Sequence, residues 1–258
     1  MWVRPRGSGL LCSSEAAMSD RNAELLKKYD RALARRPNDP VVLHNRAVAL
    51  LEIGNYDDAV TTFGRVLALL PENPSVSFNR GLAFFHLGRY EEALADYDRA
   101  RNLGRADRDV LNNRGYTLFR LRRYDEALED FDQALSMNPG DPDVIANGGY
   151  ALTCLGRYQE AITDFNTVQT ARPGDIETLR YRGLCWANFG QHQEAFSDFD
   201  RVLSQQPEDF DTLQNRGHML VYLNRFEEAI ADYDRTVFLQ PDVSAVREEV
   251  ARPTFEPY

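Results

Sequence analysis

The sequence predicts an all-α solenoid. Two observations carry that prediction: a 34-residue segment recurs six times without insertion, and each copy holds two stretches of helical periodicity separated by a short turn. Numbered from 1 to 34, the copies span residues 40–73, 74–107, 108–141, 142–175, 176–209 and 210–243. Position 20 is alanine in all six: Ala59, Ala93, Ala127, Ala161, Ala195 and Ala229. At roughly one-in-ten usage of a common residue, chance yields this about once in a million, so the period belongs to the architecture.

Each element follows from that register. In the first half of a unit, positions 4, 8 and 11 lie within about 60° of one another on a helical wheel, giving one apolar face. Positions 20, 24 and 27 do the same in the second half. Position 8 is small throughout (Ala47, Gly81, Gly115, Gly149, Gly183, Gly217), and position 24 is aromatic throughout (Phe63, Tyr97, Phe131, Phe165, Phe199, Tyr233). Turns such as Leu87-Gly88-Arg89-Tyr90 offer glycine for a left-handed helix stop, and a turn that short makes the two helices antiparallel. A small residue at position 8 facing Ala at position 20 is expected to let the helix axes approach. Proline at position 32 (Pro71, Pro139, Pro173, Pro207, Pro241) ends the second helix, with Arg105 as the exception.

The pattern resembles the tetratricopeptide repeat, a 34-residue helix-turn-helix with small residues at 8 and 20, aromatics near 11, 17 and 24, and proline at 32. The resemblance covers residues 40–243 and implies a right-handed superhelix whose concave groove is lined by the first helix of each repeat. It also implies a non-enzymatic scaffold that binds an extended peptide or partner protein there.

The ends complete the domain organisation. Residues 1–21 read as a flexible extension, within which Met18 could be a second start, and residues 22–39 as a capping helix. Tyr29, Ala32 and Pro37 fall at positions 24, 27 and 32 of a half-repeat. After the sixth copy, residues 244–252 read as a polar capping helix (Arg247, Glu248, Glu249), stopped by Pro253. The last residues read as a tail.

Composition removes several function classes. The 258 residues carry 30 Lys+Arg against 40 Asp+Glu, a formal net charge of -10. No apolar stretch approaches the roughly 20 residues that cross a bilayer, so no membrane partner is expected. Residues 1–37 hold 8 basic and 4 acidic side chains, leaving 22 against 36 for the rest. An acidic array lacks the clustered cations that phosphate contacts demand, so no nucleic acid is expected either. Three widely spaced cysteines (Cys12, Cys154, Cys185) suggest a reducing compartment, read here as the cytoplasm. The four histidines fall at four different repeat positions, and no phosphate loop, nucleophile elbow or zinc motif occurs. Neither a cofactor nor an enzymatic activity is expected. Recurring carboxylates such as Asp98, Asp132, Asp200 and Asp234 read as solvated helix faces.

The candidate binding residues occupy positions 2, 6, 9 and 13, which share a face about 180° from the packed one. Position 6 reads Asn45, Asn79, Asn113, Asn147, Tyr181 and Asn215. Such a row of amides can hydrogen-bond an extended backbone whatever its side chains, or can serve only to join neighbouring helices. The row is similar to the asparagine ladder in the tetratricopeptide region of O-linked glycosyltransferases. Tyr116 and Tyr150 stand at position 9. Asp109, Asp143, Glu177 and Asp211 at position 2 form a line of carboxylates. They favour peptides with basic residues beside apolar ones, unless they serve only the helix macrodipole. The carboxylate clamp of tetratricopeptide co-chaperones is not matched, because position 2 is never basic and position 9 is never Asn. Arg46, Arg80, Arg114, Arg182 and Arg216 at position 7 are expected to pair, partly exposed, with aspartates at position 23, and Gly148 breaks the series. A self-associating structural protein, using the groove or the array ends and forming a homo-oligomer, is the alternative function.

Overall fold

The computed structural model describes the backbone of residues 12–239 and the side chains of residues 24–239. Among the described residues it holds thirteen α-helices and no strand. After α1 (Cys12–Arg35) come six hairpins of a helix A and a helix B. The A helices are α2 (Pro40–Glu52), α4 (Pro74–His86), α6 (Arg108–Arg120), α8 (Pro142–Cys154), α10 (Ile176–Asn188) and α12 (Phe210–Tyr222). The B helices are α3 (Tyr56–Leu69), α5 (Tyr90–Asn102), α7 (Tyr124–Met137), α9 (Tyr158–Ala171), α11 (His192–Gln205) and α13 (Phe226–Leu239). Every A helix starts at position 1 and every B helix at position 17, so the all-α solenoid class and its register hold.

One boundary differs. The first helix begins at Cys12, inside the segment expected to be a loose extension, because no Gly or Pro interrupts residues 12–36 and Ala16, Ala17 and Ala23 favour helix. Residues 1–11, the cap over 244–252 and the tail beyond it lie outside the described residues.

Local chemistry explains each helix end. Position 34, the residue before every A helix, is Asp or Asn, and its side chain accepts a hydrogen bond from an N–H of the first turn. Asp39 accepts from Val41 and Val42, Asn73 from Ser75 and Val76, and Asp209 from Thr212. The A helices stop at position 15 with positive φ, taken by Gly88 (73°) and Gly156 (74°) but also by Arg122 (62°) and Asn224 (58°). Four B helices open instead on a bidentate pair three residues apart, Arg89–Glu92, Arg123–Glu126, Arg157–Glu160 and Arg225–Glu228.

Packing between A and B adds a ring to the expected Gly-on-Ala contact, which is seen where a Cβ on Gly115 would stand 3.2 Å from the Ala127 carbonyl oxygen. The position-8 glycine lies under the position-24 ring: a Cβ on Gly81 would stand 2.8 Å from Tyr97 Cε1, and one on Gly149 2.6 Å from Phe165 Cε1. The ring occupies the space that a side chain would need. Phe63, Phe131, Phe165 and Phe199 are fully buried there, each contributing about 1.5–3 kcal/mol of apolar burial.

The chain divides into two compact units, Met1–Gly140 and Asp141–Tyr258. Within each, every helix packs on its chain neighbours. Consecutive A helices also approach at the backbone (α2 with α4 and α4 with α6 in the first unit, α8 with α10 and α10 with α12 in the second), whereas among the described residues B helices meet only through long side chains, as where Arg101 of α5 reaches Gln133 of α7 at 3.4 Å. In each unit the A helices therefore lie on the tighter side of the stack.

Candidate functional site

Because neighbouring A helices touch, positions 2, 6, 9 and 13 of successive repeats form one face in each unit. The asparagine row on that face is not uniform. In the first unit Asn45 is exposed and Asn79 half-buried. Asn113 is turned along its own helix, its Nδ2 donating to the Asp109 carbonyl at 2.7 Å. In the second unit Asn147 is 9% exposed, while Tyr181 and Asn215 are half-buried. Tyr181 packs on Tyr150 with ring centroids 4.5 Å apart, and Tyr150 in turn leans on Phe165 at 5.5 Å. Tyr116 lies half-buried between Phe85 (5.5 Å) and Phe119 (5.8 Å, nearly parallel).

The carboxylate line divides as well. Asp109 pairs with Arg108 at 2.6 Å, and Asp143 pairs with Arg172. Glu177 and Asp211 are exposed and make no ion pair among the described residues. Desolvation, then Asp175, raises the Glu177 carboxyl above its ordinary value, against the pull of Arg180. Only the last two repeats therefore present free carboxylates from this line.

A contact not foreseen from the sequence joins consecutive repeats beside this face. At three junctions the ring at position 17 meets the side chain at position 13 of the next repeat. Tyr56 stacks on His86 (4.4 Å, 4°), Arg120 lies 4.7 Å over Tyr90, and His192 stacks on Tyr222 (4.3 Å, 8°). His86 and Arg120 in one unit, and Tyr222 in the other, keep an exposed side. Their 30-residue separation at fixed positions was the available signal. Burial lowers the His44, His86 and His218 pKa values below the ordinary imidazole value.

The arginines behind the face make more than the expected single pair. Arg80 grips Asp96 with two bonds of 2.6 and 2.7 Å. Arg114 reaches forward to Asp130 at 2.6 Å and back to Asp98 of the preceding repeat at 2.6 Å. Arg182 does the same with Asp198 and Asn166, and Arg216 with Asp232 and Asp200. Asp98 and Asp200 are thus pairing partners and not merely solvated faces. The position-23 aspartates that face an arginine (Asp96, Asp130, Asp198 and Asp232) are buried, Asp130 to 1%, whereas Asp164, opposite Gly148, is half-buried. Burial pushes the Asp130 carboxyl up despite Arg114, so these pairs fix register more than they add stability. Arg65 and Arg99 add a second tie, donating at 2.6 and 2.7 Å to the carbonyls of Pro37 and Pro71 in the loop before.

Each of the four histidines lies against an aromatic ring of its own: Phe63, Tyr56, Tyr222 and Tyr233. Among the described residues no three His, Cys, Asp or Glu side chains are grouped to hold a metal, and no helix is long and apolar enough to cross a membrane.

Family models described as tetratricopeptide repeat match residues 44–110 and 148–210, 109–141, and 210–242. The chain belongs to the tetratricopeptide repeat family. Such proteins are generally non-enzymatic scaffolds. No curated protein matches this one in sequence. Among solved structures it is similar to a tetratricopeptide repeat protein from Parabacteroides merdae (19% identity, TM-score 0.64, covering 91% of this chain and 96% of that one). It is similar to YrrB, described as a TPR protein with an unusual peptide-binding site (21%, TM-score 0.62, 72% and 95%). A third likeness is to MamA from Desulfovibrio magneticus (21%, TM-score 0.61, 66% and 97%). At these identities the likenesses show the shared fold.

Proposed function

We propose that this tetratricopeptide repeat protein is a non-enzymatic scaffold whose helix-A face binds an extended peptide or a partner protein. The observation that carries the reading is the contact between successive A helices, which makes positions 2, 6, 9 and 13 a continuous surface in each unit. The amides left accessible, Asn45, Asn79 and Asn215, suit a peptide backbone, and the half-buried Tyr116 and Tyr181 suit apolar side chains. The preference for basic residues narrows to the second unit, where Glu177 and Asp211 are free of internal ion pairs. The peptide-binding site named for YrrB supports the reading by analogy. The reading includes a cytoplasmic location, since Cys154 and Cys185 are free thiols.

Selection from a random peptide display library tests it. We expect enriched peptides with a basic residue beside apolar ones, whose affinity falls about tenfold, or about 1.4 kcal/mol, when Tyr181→Ala and Asn215→Ala are combined. Failure to enrich any peptide, or unchanged affinity in that variant at equal helix content, overturns the reading.

A further inference from the structure

The array of described helices opens on half a repeat and closes on a whole one. Helix α1 occupies the place of a helix B, with Leu26 and Leu33 packed against the core of the first repeat. It runs unbroken through residues 20–21, where a hairpin would turn, so among the described residues no helix A folds back on it. The residues that a helix A covers, at positions 20, 24 and 27, are Leu25, Tyr29 and Ala32, and all three are only half-buried. Their counterparts Ala59, Phe63 and Val66 are at most 1% exposed.

The other end is uncovered on a different face. On α13, Phe226, Ile230 and Val237 fall within about 40° of one another on the helical wheel, and they are 51, 59 and 36% exposed. The Ile230 counterpart in the fourth repeat, Ile162, is 1% exposed. Where a further helix A follows within the same unit, it packs on the helix B before it: α4 on α3, α6 on α5, α10 on α9 and α12 on α11.

The sequence beyond α13 stays in phase with the repeat. Residue 244 falls at position 1 of a seventh unit, Val246 at position 3, where Val42, Val76, Val110 and Val144 stand, and Ala251 at the small position 8. Pro253 and Pro257 then fall inside the stretch that would finish helix A and its turn, which breaks the pattern leading to a helix B of its own. One end therefore carries the makings of a helix A, and the other a helix B that lacks one.

The charges of the two ends are also complementary. Lys27, Lys28, Arg31 and Arg35 are all exposed on α1. At the other end, residues 226–258 hold 3 basic and 8 acidic side chains.

We propose that the chain associates head to tail with a second copy, residues 244–252 of one copy supplying the helix A that α1 of the next lacks. The hybrid repeat buries the α13 stripe of the first copy and Leu25, Tyr29 and Ala32 of the second. Such a junction is heterologous and leaves a free end on each side of a dimer, so further copies can add. It does not depend on what the helix-A face holds: a peptide selected on that face binds the association-defective variants as it binds the native chain.

Sedimentation velocity on the full chain tests the proposal through complementation. The native chain should gain mass with concentration, more at low salt than at high. Val246→Asp with Val250→Asp, and separately Leu25→Glu with Tyr29→Glu, should each be monomeric. Mixed in equal amounts, the two variants retain one productive junction and should form a dimer and nothing larger. Helix content is checked by circular dichroism, and the tail variant alters no residue of the described helices. A native chain that stays monomeric, growth that persists in the tail variant, or a mixture that stays monomeric overturns the proposal. A monomer whose own residues 244–252 shield α13 would appear as the first of these.

Discussion

The two units use one scaffold with different charge. Residues 1–140 are neutral in sum, and on their helix-A face Asp109 is cancelled by Arg108. Residues 141–258 carry the whole excess of acid and leave Glu177 and Asp211 unpaired on the same face. The positions that hold the hairpins together are nearly identical in both: a position-34 cap, a position-24 ring over a small residue, and a position-7 arginine joining B helices. Gly148 in the second unit is the one departure from that arginine. Structure is thus fixed at positions that point inward, and the two units diverge in charge where side chains point outward.

The largest effect expected inside the scaffold comes from the arginines. Arg114→Ala in the first unit and Arg182→Ala in the second each strand a buried carboxylate, Asp130 or Asp198, and should cost roughly 3–5 kcal/mol. Helix-resolved hydrogen exchange should show the loss confined to the altered unit, as nearest-neighbour stacking predicts. Equal loss in both units would mean that the division after Gly140 has no energetic meaning.

Next is the ring over glycine. Gly149→Val drives a side chain against Phe165 and should cost about 1–3 kcal/mol in urea unfolding. Ala47, which already sits against the buried Phe63, marks how much the arrangement tolerates.

Two exchanges should stabilise the first unit by removing its own local departures from the repeat. The Tyr97 hydroxyl is buried without a hydrogen-bond partner, and burial, aided by Asp96, holds its pKa well above the ordinary phenol value. Phe63 and Phe131 in the same unit, like Phe165 and Phe199 in the other, fill that position without a hydroxyl. Tyr97→Phe should raise stability by about 1 kcal/mol, part of the cost of an unsatisfied group. Arg122→Gly relieves a left-handed backbone that Gly156 adopts freely, and should add about 1 kcal/mol. A fall in midpoint for either would contradict the account.

The smallest effect is on pH. Burial lowers the pKa of His44 and His86 in the first unit and of His218 in the second. A histidine whose folded pKa is depressed contributes stability that is present above its unfolded value, about 6.5, and lost as pH falls toward the folded one. Acidification below about pH 6.5 should therefore loosen the first unit more than the second. Helix-resolved exchange at stepped pH checks the order.

The fold was legible because a 34-residue period is a statement about neighbours: each unit meets the same contacts, so every residue that makes them recurs. Ala59 to Ala229 and the aromatic series at position 24 were enough to place every hairpin. What stayed hidden were contacts between residues with no periodic cue to their pairing. Arg172 cancels Asp143 across 29 residues, and Asn113 spends a donor on its own helix, so a row that reads as uniform is not. The position-34 caps were visible in composition yet carried no apolar signal. The backward reach of Arg114 to Asp98 needed the geometry of stacked B helices.

The central claim is that partners are held on the helix-A face. Photo-cross-linking a selected peptide to the protein, then mapping the labelled residues, tests it most directly. The account predicts labels at positions 2, 6, 9 and 13 of α2, α4, α6, α8, α10 or α12. Labels concentrated on the outer surfaces of α3, α5, α9 or α11 would contradict it.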